Sequence, residues 1–317
     1  MTPELITSAQ NPKLKRLLAL QEKSRLRREE GVFVVEGRRE FEHCIAAGFE
    51  IDSIFICPEI CDAAWLGIPP EGRNTRGSIA GGPSRRDGGV SPKGELPKGE
   101  YPNLRRVNVF YLSKDVYAKV AYREGTEGII AEVKVKSLKL EDLMLRENPL
   151  IMVLEGVEKP GNLGAVLRSA DAAGADAVII CDPLTDLYNP NLIRASIGAI
   201  FTVPTVACSS EEAITFLKAR GIRILTAQLQ DSSVYYDVDM TCGTAIVMGT
   251  ESTGLTPVWR KAADAHILIP MLGRLDSLNV SVSAAILLYE AVRQRQNTPS
   301  SVPGPTKMKC APFVGRI

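Results

Sequence analysis

The stretch LIMVLEGVEKPGNLGAVLRSADAAGADAVIICD, residues 150–182, decides how the rest of the chain is read. It opens on an apolar run rich in branched residues and reaches a Pro-Gly turn at Pro160 and Gly161. From Asn162 to Ala173 the apolar residues recur at helical spacing, and Gly174 supplies the residue type that closes a helix in the left-handed region. A second apolar run, ADAVIICD, follows at once. This is strand, helix, strand.

The alternation continues downstream. NPNLIRASIGAIF reads as one helix, VPTVAC as a strand, SEEAITFLKARG as a helix, and IRILTAQL and TAIVMG as strands. PVWRKAA is a short helix, HILIPM the last strand, and a long helix follows it. Apolar β-branched runs alternating with helices predict an α/β domain over 149–296, with a parallel sheet covered on both faces. Upstream, Asn11–Glu30 has the spacing of one helix, with Leu14, Leu17 and Leu20 on a side and many Lys and Arg residues elsewhere. GVFVVEG, IDSIFIC, RVNVFYL and GIIAEVKV read as strands, and RREFEHCIAAG as a helix closed by Gly48. The pattern predicts a smaller α/β domain over 1–136, joined by a connector over 137–148. Gly, Pro, Ser and charge dominate 67–100, which reads as a disordered insertion. The tail over 297–317 is rich in Pro and reads as loose.

Bulk chemistry narrows the function classes. Lys plus Arg number 38 against 37 for Asp plus Glu, a net charge of +1, so any nucleic-acid surface has to be a local patch. Seven Cys at irregular spacing and two His argue against a disulfide scaffold and for a reducing compartment. Cys57 and Cys61 lack the further ligands of a zinc site and read as buried thiols, and no metal is expected. The N-terminus has no apolar signal core and no run approaches a membrane span, so a soluble cytoplasmic protein is expected.

In an open α/β sheet, ligands bind beyond the carboxyl ends of the strands. Three strand exits carry polar or glycine-rich sequence. The first holds Asn162 and, six residues on, Arg168; a helix cap and a salt bridge to Asp171 or Asp176 are the plainer readings of the two. The second, AIVMGTESTGL, holds Gly249, Glu251 and Gly254, and here turns and a cap for the next helix are the alternative. The third, ILIPMLGRLDSLNVSVSAA, places Ser277 and Asn279 before the last helix, while Ser281 and Ser283 read as capping and packing. No nucleophile–base pair, carboxylate pair or Walker lysine appears at any exit. Such a site fits chemistry in which the reactive carbon arrives with a cofactor and the protein positions it.

Taken together, NLGAVLR (162–168), IVMGTESTGL (246–255) and IPMLGRLDSLNVSVSAA (269–285) resemble, in order, the three motifs of the SpoU/TrmH branch of the SPOUT methyltransferases. IRASIGAIF also matches a family string, and ITSAQNPKLKRLLAL, FVVEG and GIIAEVKV resemble the family's N-terminal substrate-binding domain, which looks like a small RNA-binding ribosomal protein. The resemblance implies transfer of a methyl group from S-adenosylmethionine to a ribose 2′-hydroxyl of a structured RNA, ribosomal or transfer RNA, with ribosomal RNA favoured. It also implies a trefoil knot in the second domain and a homodimer through that domain. In its terms Asn162, Arg168, Glu251, Ser277 and Asn279 are catalytic. Gly249, Ile269, Met271, Leu278 and Thr226 hold the cofactor, and Lys13, Lys15, Arg16, Arg25, Arg27, Arg28 and Arg194 contact RNA. Arg168 is the family's proposed base, but arginine stays protonated, and a phosphate-binding role is preferred here. Lys159 departs from the family pattern, which often has an acid before Pro-Gly-Asn. A non-catalytic RNA-binding protein on the same fold is the alternative reading.

Overall fold

The computed structural model describes residues 4–66, 107–122, 127–250, 253–274 and 277–297. The 67–100 segment, the tail beyond Asn297 and Glu251 lie outside the described residues.

The first part of the chain runs β1 (Glu4–Ile6), α1 (Pro12–Glu22), α2 (Ser24–Glu30), β2 (Val32–Glu36), α3 (Arg38–Ala46), β3 (Ile51–Ile56), β4 (Asn108–Leu112), α4 (Lys114–Val120) and β5 (Ile129–Lys134). Its strands form a five-stranded sheet in the order β1-β4-β3-β5-β2, parallel across β1, β4 and β3 and antiparallel at β5 and β2. The basic segment read as one helix is two. The chain breaks at Lys23, which is extended (φ −104°, ψ 103°), and α2 sets off in a new direction. Leucine periodicity persists through the break and hides it.

The second part runs β6 (Leu150–Glu155), α5 (Pro160–Ala172), β7 (Ala177–Cys181), α6 (Pro190–Ser196), α7 (Ala199–Thr202), β8 (Thr205–Cys208), α8 (Ser210–Ala219), β9 (Arg223–Ala227), β10 (Ser233–Val234), β11 (Thr244–Met248), α9 (Pro257–Ala262), β12 (Ala265–Leu268) and α10 (Val280–Asn297). Seven strands pair in the order β10-β12-β9-β11-β6-β7-β8, every pair parallel. The expected parallel sheet is present, and apolar clusters lie on both faces. NPNLIRASIGAIF is again two helices, not one. Ile197 and Gly198 are both left-handed (φ 52° and 83°), and a Cβ on Gly198 would stand 2.9 Å from the His43 ring. Only glycine allows α3 of the first part to come that close.

One apolar cluster crosses between the two parts. Phe33 stacks on Tyr188 at 4.2 Å between ring centroids, and Phe49 meets Phe201 edge-on at 5.3 Å. At the opposite end of β6, the Asp176 carboxylate accepts from Arg146 Nε (2.7 Å), Arg146 Nη2 (2.8 Å) and the Leu150 backbone N–H (2.7 Å). Burial pushes this acid up, but those donors outweigh it and hold its pKa below the ordinary aspartate value. A depressed folded-state pKa gives stability that is present above about pH 4 and is lost as pH falls through the folded value. Asp176→Asn should therefore lower the urea midpoint at pH 7 and leave a smaller further drop on acidification than the native chain shows.

Candidate active site

Two adjoining clefts open at the carboxyl ends of the central strands. Gly156, Val157, Glu158, Lys159 and Asn162 line the smaller one. Ala227, Gln228, Ile269, Met271, Ser277, Leu278, Ser283 and Leu287 line the larger, about 860 Å³ including its open mouth. Gly249, Thr250 and Val280 border both. The walls of the larger cleft are mostly apolar with a few polar groups, the lining typical of a small-molecule site.

The three strand exits of the sequence reading converge here. Asn279 begins α10: its carbonyl accepts from the N–H groups of Val282 and Ser283 at 3.0 Å, and its side-chain oxygen accepts from the Ser281 N–H at 2.9 Å. Its Nδ2 also donates to Asn162 Oδ1 at 3.2 Å, across 117 residues of chain. Asn279 is therefore both a cap and a link between the first and third motifs. Ser281 serves the cap, as read, whereas Ser283 reaches the cleft wall.

The second exit is a tight loop. Gly254 N–H donates to the Thr250 carbonyl at 3.1 Å, and Thr250 and Thr253 join their hydroxyls at 2.7 Å. A Cβ on Gly249 would lie 2.3 Å from the Gly254 carbonyl carbon. Gly249 thus lets the loop fold back on itself at the cleft floor.

Glu155, which the sequence reading passed over, anchors this loop. It is buried at the end of β6, where its carboxylate accepts from the Thr256 N–H (2.8 Å) and hydroxyl (2.6 Å). The Ser210 hydroxyl donates to Asp182 at 2.6 Å and lies 3.3 Å from Glu155, and the Trp259 indole N–H donates to Ser210 at 2.9 Å. The N-cap residue of α9, Thr256, is thus held by Glu155, 101 residues upstream. The signal was present in LIMVLEG: a carboxylate closing an otherwise apolar strand needs donors. Glu155→Ala leaves the Thr256 groups without their acceptor and should cost ~1–3 kcal/mol. A lowered thermal midpoint together with weakened ligand binding in the larger cleft is the expected result.

Other site residues stand as follows. Gly249, Ile269, Met271, Ser277 and Leu278 line the larger cleft. Thr226 does not. It is fully buried, bonds His266 Nδ1 at 2.6 Å, and points to the sheet face away from α10; strand alternation gives the cleft Ala227 instead. Arg168 is exposed rather than buried, and neither Asp171 nor Asp176 pairs with it: Asp171 accepts from Thr202 and Asp176 binds Arg146. It lies six residues beyond Asn162, ~9 Å along the α5 axis and turned ~240° from it, and it is not part of either cleft wall in a single chain.

The basic residues separate into groups. Lys15, Arg28 and Arg194 are exposed and make no ion pair among the described residues. Lys13 holds Glu4 at 2.6 Å and Arg25 holds Glu29 at 2.6 Å, both at the surface. Arg16 pairs with Glu30 and Glu132. Arg27 is 3% exposed and committed to Asp186, so it is not available to RNA. The break at Lys23 turns it inward. Cys57 and Cys61 are buried free thiols. Among the described residues no group of His, Cys, Asp or Glu could hold a metal ion, and no helix is long and apolar enough to cross a membrane.

A parallel α/β sheet with a cleft at its strand exits, walled by apolar side chains and backbone and edged by amides and hydroxyls, has the place and lining of a small-molecule site. Residues 149–289 match the SpoU rRNA methylase family, and residues 11–77 match the MRM3-like substrate-binding domain. The 23S rRNA (guanosine-2′-O-)-methyltransferase RlmB of Pseudomonas putida is 38% identical over 184 residues, 56% of this chain and 74% of that protein. The 23S rRNA (guanosine(2553)-2′-O)-methyltransferase RlmP of Bacillus subtilis is 31% identical, over 58% of this chain and 72% of that one. Among solved structures, an RNA 2′-O ribose methyltransferase is 35% identical with a TM-score of 0.68, covering 92% of this chain and 99% of its own. The SpoU methyltransferase AviRb of Streptomyces viridochromogenes, in complex with the cofactor AdoMet, is 25% identical with a TM-score of 0.73, covering 91% and 100%. The chain belongs to the SpoU family of methyltransferases.

Proposed function

We propose that this protein transfers a methyl group from S-adenosylmethionine to a ribose 2′-hydroxyl of ribosomal RNA. The observation that carries the reading is the Asn279–Asn162 bond, which joins two motifs at the border of the two clefts. The larger cleft fits the cofactor: Ala227, Ile269, Met271 and Leu278 offer apolar contact for a purine, and the Gly249–Thr250 turn brings backbone groups close. Bound there, S-adenosylmethionine supplies an electrophilic sulfonium methyl. The smaller cleft, between Gly156–Lys159 and Asn162, receives the ribose. Asn162 and Asn279 hold the hydroxyl in line by hydrogen bonds, and Ser277 steadies the loop before α10. Arg168 binds the phosphate beside the target ribose through its planar fork, and the proton leaves to that phosphate or to water.

Residues 1–136 form the RNA-binding part of this scheme, 137–148 the linker and 149–296 the catalytic part. Lys15, Arg28 and Arg194 supply phosphate contacts, with Lys13, Arg16 and Arg25 contributing at their edge. Lys15→Glu with Arg28→Glu should weaken RNA binding and reduce the salt slope of affinity by about two, without changing affinity for the methyl donor.

The finer architecture follows the same scheme. Gly249, Thr250 and Gly254 meet Ile269, Met271, Ser277 and Leu278 at one cleft, and α10 returns to pack against α5, the arrangement that a trefoil knot would produce. Val282 and Tyr289 share the outer face of α10 and are 47% and 50% exposed. A second copy docked there would lie beside α5 and complete the site around Arg168. The protein works in the cytoplasm, where its RNA is found.

The test is transfer of isotopically labelled methyl to bacterial ribosomal RNA, followed by digestion to nucleosides. Label in a 2′-O-methylated nucleoside is expected. Label on a base, or RNA binding with no transfer, would refute the proposal.

A further inference from the structure

Among the described residues the two parts are joined by apolar packing, by an exposed hydrogen bond from the Tyr122 hydroxyl to Asn191 Oδ1 (3.0 Å), and by the buried Arg27–Asp186 ion pair. Arg27 Nε donates to Asp186 Oδ2 at 2.6 Å, with the side chains 3% and 12% exposed. The same guanidinium donates to the carbonyls of Leu20 (2.5 Å) and Gln21 (3.0 Å), which ties it to the end of α1. Asp186 in turn accepts from the Tyr188 N–H at 2.9 Å, and its carbonyl accepts from the N–H of Asn189, the residue that caps α6. From α6 the contact passes to α5 with little slack: a Cβ on Gly164 would stand 2.6 Å from Ala195 Cβ. The α5 helix carries Asn162 and Arg168. Hydrogen bonds from Arg27 to the cap of α6, and then tight packing of α6 on α5, thus link the basic helices of the first part to the site.

The aromatic packing of Phe33, Phe49, Tyr188 and Phe201 already holds the parts together. Apolar contact is non-directional, whereas a buried, hydrogen-bonded ion pair contributes little net stability and demands one geometry. We propose that the Arg27–Asp186 pair is a ruler for the reaction: it fixes the orientation of α1 and α2, with their exposed Lys15 and Arg28, relative to α5, and so selects which nucleotide of the bound RNA reaches Asn162. The proposal rests on the RNA methyltransferase reading. Arg27 and Asp186 are positioning residues; neither lines the clefts.

The test uses the full chain with Arg27→Met and Asp186→Asn together. No charge is left buried alone, and the new Asn keeps an acceptor for the Tyr188 N–H. Spin labels replacing the exposed Lys119 and Lys218 report the distance between the two parts in the protein alone. The expected result is a folded protein with a broadened distance distribution. It binds S-adenosylmethionine as the native chain does and transfers a similar total of methyl, with a several-fold rise in methylation at nucleotides beside the native target. An unchanged distance distribution overturns the ruler, and so does a broadened one with methylation still confined to the native nucleotide. If the native protein methylates no ribosomal RNA, the functional reading fails instead, and the distance measurement still decides whether the pair sets orientation.

Discussion

Replacing Arg168 by alanine is expected to lower the methylation rate by about 10²-fold while the affinity for S-adenosylmethionine stays within a small factor of native. The magnitude is that of losing alignment between a bound nucleophile and its electrophile. The selectivity follows from place: Arg168 is exposed on α5 and lines neither cleft, so its removal leaves the cofactor walls untouched. Arg168→Lys should recover only part of the rate, because the charge returns without the planar fork. Single-turnover rates with calorimetric cofactor binding on the same samples check this. A fall in cofactor affinity equal to the fall in rate would place Arg168 in the cofactor site instead.

The complementary expectation concerns Gly249. A Cβ there would lie 2.3 Å from the Gly254 carbonyl carbon and 2.6 Å from the Leu255 nitrogen. These are backbone atoms, so the loop itself has to move. Overpacking of this kind costs ~1–3 kcal/mol. Because the loop borders both clefts, Gly249→Ala should weaken S-adenosylmethionine binding by roughly tenfold to a hundredfold. Global stability should fall by less than for Glu155→Ala, whose carboxylate is buried in a network. Native-like cofactor affinity in the Gly249 variant would show that the loop does not touch the ligand.

The two substitutions probe features that differ in how far the sequence revealed them. Gly249, Asn162, Ser277 and Asn279 sit at strand exits, and strand exits are legible because apolar runs end abruptly. What the sequence leaves open is pairing across long separations. Asp176 looks available to Arg168 on α5 but belongs to Arg146, and Arg27 looks like one more surface cation but belongs to Asp186, 159 residues away. The helix breaks at Lys23 and at Ile197–Gly198 escape a periodicity argument, since apolar spacing runs through both and only a neighbour's shape requires the turn. Thr226 was misplaced for a simpler reason. In a strand a one-residue error exchanges faces, and the cleft takes Ala227. Glu155 shows the reverse case: a lone carboxylate at the end of a buried strand signals a polar network, because it needs donors there.

The central claim is that the border between the clefts, at Gly249, Thr250 and Val280, is where methyl donor and acceptor meet. A crystal structure of the protein with S-adenosylmethionine bound tests it most directly. The adenosyl group is expected against Ile269 and Leu278, with the sulfonium methyl directed past Thr250 toward Asn162. A methyl directed away from Asn162, or a cofactor seated outside the larger cleft, would contradict it.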